Sequence, residues 1–395
     1  MAELARAMII VSEGTNEDWL AHNEYVDRYS ASSLHLVIMP TEQCNFRCTY
    51  CYESFARGEM APSLQDAIVK HVTQRQHVRK LEVSWFGGEP LLASRVMLSL
   101  MSKLGAVCRA RGIRLISGAT TNGYLLDLAL ATQLIKCGVS QYQITIDGIQ
   151  DDHDCRRRGA VGEPTYETIL RNLRDLRDSR LDFRIMLRHN FDRHSIRRLD
   201  QFLETMAAEF ATDDRFTMYF QGIGKWGGPN DATLDTCDQR SSNRELAAAR
   251  MKAVKRGLQD AMTLSSIQPS GSVCYAADPN SFVIGSDGRL YKCTVELDYH
   301  DRNVVGRLLE DGRMDLNWEK MALWTETNGM SGDKKCSSCW FSPACHGGAC
   351  PKEWLDEHDC TCPPGKTTIG TTLDIINLDA LRRAQRVEGT AQCSR

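Results

Sequence analysis

The chain has 395 residues, 42% of them hydrophobic and 25% charged, with a net charge of −3. That length suits one large domain plus a smaller one. The composition is that of an ordinary globular protein, with no basic field to draw nucleic acid and no apolar run of membrane-spanning length. The first residues lack a basic region followed by an apolar stretch and a cleavage site, so a cytoplasmic protein is expected.

Residues 1–33 show no clear period and are expected to form a short helix or a hairpin. Residues 34–39 are a compact apolar run, read as a buried strand. Strand-like and helix-like segments then alternate. Pro62-Ser63-x-x-Asp66 predicts a helix start with a capping box. Residues 81–86 predict a strand ending in Gly87-Gly88, 94–111 a helix, and 114–116 a strand leading to Thr120-Thr121-Asn122-Gly123. A helix is expected over 125–137, stopped at Gly138. A strand over 143–146 ends at Asp147-Gly148. Ile169, Leu170, Leu173 and Leu176 share a helical face. Strands over 183–187 and 216–220 flank a helix over 194–210. Six strands alternating with helices imply a parallel sheet with right-handed crossovers, and loops at the C-terminal strand ends carry the chemistry. The expected fold is α/β.

Sixteen cysteines require an account. Cys44, Cys48 and Cys51 are spaced Cys-x3-Cys-x2-Cys in one loop after the first strand. Three thiolates can hold three irons of a 4Fe–4S cluster and leave the fourth open to a ligand. Zinc with a distant fourth ligand, or buried inert thiols, also suit three close cysteines. The strand before the loop and the motifs after it weigh against both. The loop resembles the signature of the radical S-adenosylmethionine (SAM) enzymes. That resemblance implies a partial (β/α)6 TIM-like barrel. It also implies roles for Gly87-Gly88-Glu89-Pro90 at the SAM amino group, for Asn122, Thr145 and Asp147 along the SAM site, and for Arg157 of His153-Asp154-x-x-Arg157 at the SAM carboxylate. A guanidinium fork suits a carboxylate; a surface position in the run Arg156-Arg157-Arg158 is the plainer alternative. On this reading one electron from the cluster cleaves SAM, and a 5′-deoxyadenosyl radical takes a hydrogen from the substrate.

After a bridge over 225–272, helical from about 243 to 262, a cysteine-rich region follows. Cys274, Cys293, Cys336, Cys339, Cys345, Cys350, Cys360 and Cys362 resemble a SPASM domain, a C-terminal extension holding two auxiliary 4Fe–4S clusters. The resemblance implies Cys274, Cys293 and Cys350 at one cluster, with an open iron or a ligand from elsewhere. Cys336, Cys339 and Cys345, with Cys360 or Cys362, serve the other. The spacing Cys336-x2-Cys339 alone would also suit zinc. Cys108, Cys137, Cys155, Cys237 and Cys393 are read as packing or exposed thiols. The expected domains are 1–33, 34–224 (barrel), 225–272 (bridge), 273–365 (SPASM) and 366–395 (tail).

The resemblance implies an enzyme that modifies peptides. The first reading is a maturase that crosslinks a ribosomally made precursor peptide, by a thioether or a carbon–carbon (cyclophane) bond. Its partners would be the precursor, a separate leader-binding protein or an exposed sheet edge for the leader, and a low-potential donor such as flavodoxin or ferredoxin. The second reading is an anaerobic sulfatase-maturating enzyme making formylglycine. Thr294 counts against it, because that family usually has an aspartate after the cysteine equivalent to Cys293. A non-catalytic iron–sulfur electron carrier would leave Glu89, Thr145 and Arg157 without a shared purpose. Asp278, Glu296 and Tyr291 are guesses for a general base. The substrate and oligomeric state are not in the sequence.

Overall fold

The computed structural model describes residues 2–237, 239–262, 264–297, 300–326, 336, 338–357 and 362–393. Six parallel strands form the frame: β1 (Ser33–Ile38), β3 (Lys80–Trp85), β4 (Arg114–Thr121), β5 (Val139–Thr145), β7 (Arg184–Phe191) and β8 (Phe216–Gly222). They lie side by side in chain order, as successive right-handed crossovers require. Between them run helices Pro62–Gln74, Ser94–Arg111, Leu128–Lys136, Tyr166–Asp178 and Leu199–Phe210. The strands alternate in burial because side chains alternate between sheet faces. Leu81, Val83 and Trp85 pack outward under the helices. On the inner face, Val37 and Met39 meet Val283 and Tyr291.

The sheet does not end with the barrel strands. β9 (Ser281–Ile284) pairs parallel to β1, and β10 (Arg289–Tyr291), β11 (Val304–Leu308) and β12 (Met314–Leu316) extend it antiparallel. The result is ten-stranded, β12-β11-β10-β9-β1-β3-β4-β5-β7-β8. The fold is mixed α/β, and the cysteine-rich region is built onto the edge of its sheet.

Several local expectations change. Residues 1–33 hold two helices, Ala2–Arg6 and Glu17–Arg28, the second capped by Asn16, whose side chain accepts from Trp19 N. No capping box forms at Pro62: Ala61 is the cap residue, without a side-chain cap bond, and Pro62 takes the first turn, where its missing N–H costs nothing. Asp66 instead pairs with Lys103 at 2.7 Å. Pro90–Arg111 is, by length and composition, long and apolar enough to cross a membrane, contrary to expectation, and half of that stretch is buried within the fold.

The bridge helix Gln239–Lys255 packs near β8 through a buried ion pair. Arg250 grips Asp260 with Nε at 3.1 Å and Nη2 at 2.9 Å, while Nη1 donates to Thr372 at 3.1 Å. Both charged side chains are nearly inaccessible, so their pairing offsets the cost of burial. This links the bridge to the C-terminal helix Ile369–Cys393.

Candidate active site and cysteine sites

The loop carrying Cys44, Cys48 and Cys51 follows β1. Within it, β2 (Phe46–Cys48) pairs antiparallel with β6 (Arg157–Gly159), in the register Cys48↔Arg157. The last two residues of the basic run are therefore on a strand, Arg156 closing the helix Gln150–Arg156 before it, and Arg157 is delivered to the cysteine loop. Arg157 is buried while its neighbour Arg158 is exposed, as strand alternation requires.

Arg157 enters a polar ring. Its Nη1 donates to Tyr50 Oη at 2.7 Å, and Tyr50 donates in turn to Asp147 Oδ2. Asn190 closes the ring: its backbone N–H reaches Asp147 Oδ1 at 2.9 Å, and its amide reaches Tyr50 Oη at 3.1 Å. Burial opposes the Arg157 charge, but Cys48, Tyr50 and Asp147 beside it outweigh that and raise its pKa further. Burial likewise raises the Tyr50 phenol, with Asp147 adding to it.

His153 supports the ring from behind. Its Nδ1 accepts from Asp147 N at 3.2 Å, so Nε2 carries the proton and faces Thr165 Oγ1 at 3.1 Å. Thr165 passes its own hydroxyl proton to Arg157 O at 2.6 Å. Burial, with Arg157 nearby, holds His153 well below the ordinary imidazole value, which keeps this tautomer neutral.

Gly87 and Gly88 bring the end of β3 against the cysteine loop. A Cβ on Gly87 would stand 2.3 Å from Thr41 O, and one on Gly88 2.5 Å from Glu42 O and Gln43 O. The glycines thus let the two chain segments approach closely. Gly87 also has φ +111°, which other residues rarely adopt. Glu89 is fully buried, and its oxygens accept from Leu91 N, Thr121 Oγ1 and Asn122 N at 2.9, 2.7 and 2.7 Å. Burial nonetheless raises its pKa. Its carboxylate is engaged by the chain's own donors, and it braces the loop for which Pro90 starts a short 3-10 turn. The Asn122 amide reaches Asn45 Oδ1 in the cysteine loop at 2.8 Å. Thr145 is buried at the end of β5.

Burial pushes the Cys44 and Cys51 thiols up to about 12, and raises Cys48 despite Arg157 beside it. The three thiols lie within electrostatic reach of one another. Phe46 N donates to Cys44 Sγ at 3.3 Å, the kind of donor that steadies a ligand thiolate. Among the described residues, Arg157 Nε is a buried N–H with no hydrogen-bond partner. Grouped thiols and an unsatisfied guanidinium donor fit a 4Fe–4S cluster with an anionic ligand. Among the described residues, no three His, Cys, Asp or Glu side chains stand close enough to hold a single metal ion; in a cluster each thiolate binds its own iron.

The other cysteines gather as two sets. Cys350 lies near Cys274 and Cys293, and burial pushes Cys293 and Cys350 up to about 12. Asn303, fully buried, accepts from Cys293 N at 2.9 Å and donates to Cys293 O at 2.8 Å, which fixes that backbone. Cys345 lies near Cys336, Cys339 and Cys362. Lys366 Nζ stands 3.4 Å from Cys362 Sγ and also bonds Cys339. Cys360 lies outside the described residues. Of the base guesses, Glu296 is buried against Arg302, Asp278 caps Asn280 N at 2.8 Å, and Tyr291 is buried in the inner core. Thr294 Oγ1 meets Tyr275 Oη at 2.8 Å. Tyr50 and Asn190 were given no role from the sequence. The aromatic inside Cys-x2-Cys was the available signal for Tyr50; Asn190 had none.

A fold with this loop at the head of a parallel sheet defines a class, and comparison with known proteins states it. Residues 38–203 match the radical SAM superfamily model. The chain contains a radical SAM domain and is an enzyme; the cofactors of such a domain are SAM and a 4Fe–4S cluster, and 16 cysteines are consistent with auxiliary clusters. Among individual proteins, it is 23% identical over 344 residues to the cysteine-type anaerobic sulfatase-maturating enzyme of Clostridium novyi (strain NT), covering 80% of this chain and 87% of that protein. It is also 23% identical to the mycofactocin maturase MftC of Mycolicibacterium smegmatis, covering 82% of this chain and 81% of the relative. Among solved structures, anSMEcpe with bound AdoMet and Cp18Cys peptide superposes with a TM-score of 0.65 at 17% identity, over 90% of this chain and 99% of that one. Streptococcus suis SuiB bound to its precursor peptide SuiA gives 0.56 at 15%, over 90% and 84%. At these identities the structural likeness speaks to the fold.

Proposed function

We propose that this enzyme is a radical SAM maturase acting on a peptide, and that it installs an intramolecular crosslink in a ribosomally made precursor. The observation that carries the reading is the β2–β6 pairing, which sets buried Arg157 beside Cys48 in the Tyr50–Asp147–Asn190 ring. The relatives that share the full-length architecture are named as maturases or hold peptides.

In this reading Cys44, Cys48 and Cys51 hold the cluster. When bound, the cluster and SAM together supply a radical that takes a hydrogen atom from the substrate. Arg157 would hold the SAM carboxylate through its unpartnered Nε, while Nη1 stays on Tyr50 and fixes the guanidinium plane. Glu89 holds the Gly87–Pro90 loop, whose backbone carbonyls accept from the SAM amino group. Asn122, Thr145 and Asp147 line the remainder. Cys274, Cys293 and Cys350 hold one auxiliary cluster. Cys336, Cys339, Cys345 and Cys362 hold the other, with Lys366 donating to its thiolates. A low-potential donor such as flavodoxin or ferredoxin feeds the first cluster, and a separate leader-binding protein or a sheet edge receives the leader. A reducing, cytoplasmic setting agrees with the free thiols of all three sets.

The test is anaerobic co-expression with a short peptide encoded beside the gene, followed by mass spectrometry. Loss of two hydrogens per site, absent with Cys48→Ala, supports the crosslink. A gain of deuterium in deuterated water indicates epimerisation instead. An unchanged mass moves sulfatase Cys or Ser peptides to the front, the reading favoured by the overlap with anSMEcpe and opposed by Thr294.

A further inference from the structure

We propose that Arg188 anchors a carboxylate of the peptide substrate inside the sheet; this deepens the maturase reading and rests on it. Its placement is unambiguous. On β7, His189 points outward and stacks on Phe202, with ring centroids 4.5 Å apart. The residues on either side therefore point inward. Asn190 does so and reaches Tyr50. Arg188 shares that face: its Nε donates to Asn190 Oδ1 at 2.7 Å, and its Cζ lies 5.8 Å from the Tyr219 ring centroid. Its strand neighbours in register are Thr145 on β5 and Tyr219 on β8. Tyr52, the residue after Cys51, is within its electrostatic reach. The guanidinium thus stands beside the Tyr50 ring, on the face where the cysteine loop covers the sheet.

Its charge is not matched among the described residues. Arg188 is half-buried, and among the described residues it forms no ion pair, while Nη1 and Nη2 make no hydrogen bond. Glu53, which also lies near Tyr52, forms no ion pair with it among the described residues, and three carboxylates on the segments after β5 and β7 are committed elsewhere. Asp147 serves Tyr50 and Asn190. Asp192 takes Arg156 at 2.9 Å through both oxygens, and Asp152 takes Arg198 at 3.0 Å. A partly desolvated cation is costly without an anion, and the two terminal nitrogens form the fork that fits a carboxylate. Arg157 already offers a buried donor on the cluster side, which leaves Arg188 to the substrate. The carboxylate is an acidic side chain of the peptide or its C-terminus.

The test uses the reconstituted holoenzyme with SAM and four acetylated tripeptides: Gly-Asp-Gly amide, Gly-Asn-Gly amide, and triglycine as free acid or amide. Binding is read by ligand-observed NMR. An acidic form is expected to bind about tenfold tighter than its amide counterpart, the gain of one charge-assisted pair. Preference in the aspartate pair identifies a side chain, and preference in the triglycine pair identifies a C-terminus. In Arg188→Met, which keeps the stem over Tyr219, the ratio should collapse to about one, and Arg188→Lys should restore part of it. Equal binding of acid and amide forms, or none, by the unaltered enzyme overturns the proposal. So does an acid preference that survives in Arg188→Met while SAM affinity falls, which would place Arg188 on SAM. Formation of 5′-deoxyadenosine by the unaltered enzyme is measured separately. Its absence would defeat the radical reading whatever the tripeptides do.

Discussion

Tyr50 carries the most consequence per atom. Its hydroxyl gives one proton to Asp147 and receives donors from Arg157 and Asn190. Tyr50→Phe leaves Arg157 Nη1 without that acceptor inside the fold, which should cost about 1–3 kcal/mol in chemical denaturation and slow SAM cleavage. A variant of unchanged stability and unchanged rate would show that the ring is incidental. Glu53 gives a pH dependence. It retains some exposed area yet sits deep among protein atoms, and burial pushes its carboxyl up to about 8. A raised folded value favours folding at low pH, and that contribution is lost as pH rises through about 8. The cluster-free, reduced protein should therefore be less stable at pH 8 than at pH 5, and Glu53→Gln should flatten the difference. At this scale the cysteine loop stood out in the sequence by its spacing, and Arg157 by the resemblance alone. Tyr50 comes from the cysteine loop and Arg188 and Asn190 from β7, and only their convergence in space gives them a role.

Among the elements, the β2–β6 ribbon matters most. Read as a sequence, Arg156-Arg157-Arg158 is a basic run; pairing with Phe46–Cys48 puts its last two residues on a strand, with Arg157 inside. Strands β1, β3 and β8 lay close to their expected places because buried parallel strands read as apolar runs, whereas β7 runs on past 187 to Phe191 through Arg188, His189 and Asn190, which give no apolar signal. β4 continues well past 116, to Thr121, because its later residues are Gly, Ala and Thr, which give little apolar signal. The β3 end supplies a sharp test. Gly88→Ala would drive a methyl to 2.5 Å from two backbone oxygens of the cysteine loop. Backbone cannot yield as a side chain can, so the reconstituted variant should lose iron at the first cluster and show a weaker 4Fe–4S absorbance and EPR signal. Full occupancy in Gly88→Ala would contradict the packing described.

At the scale of the molecule, the cysteine-rich region shares the barrel's sheet through β9, and the bridge is locked by Arg250 and Asp260. Arg250→Ala takes the ion-pair partner away from a buried carboxylate, and should cost about 3–5 kcal/mol by denaturant titration. The continuous sheet was not visible in the sequence, because strands as short as Arg289–Tyr291 carry too few residues to show a period. Burial pushes Cys44, Cys51, Cys293 and Cys350 up to about 12 from 9.0. The cluster-free protein should thus hold its stability up to about pH 9 and lose it toward pH 12, as thiolates form more readily in the unfolded chain. Titration of stability across that range checks this, and a flat profile would contradict it. The most direct measurement of the whole account is 5′-deoxyadenosine formed from SAM under anaerobic reduction, comparing the reconstituted enzyme with a variant carrying Cys44→Ala, Cys48→Ala and Cys51→Ala together. The account predicts product from the first and none from the second, although the variant keeps iron at its remaining cysteines. Equal product from both, or none from a fully loaded enzyme, would contradict it.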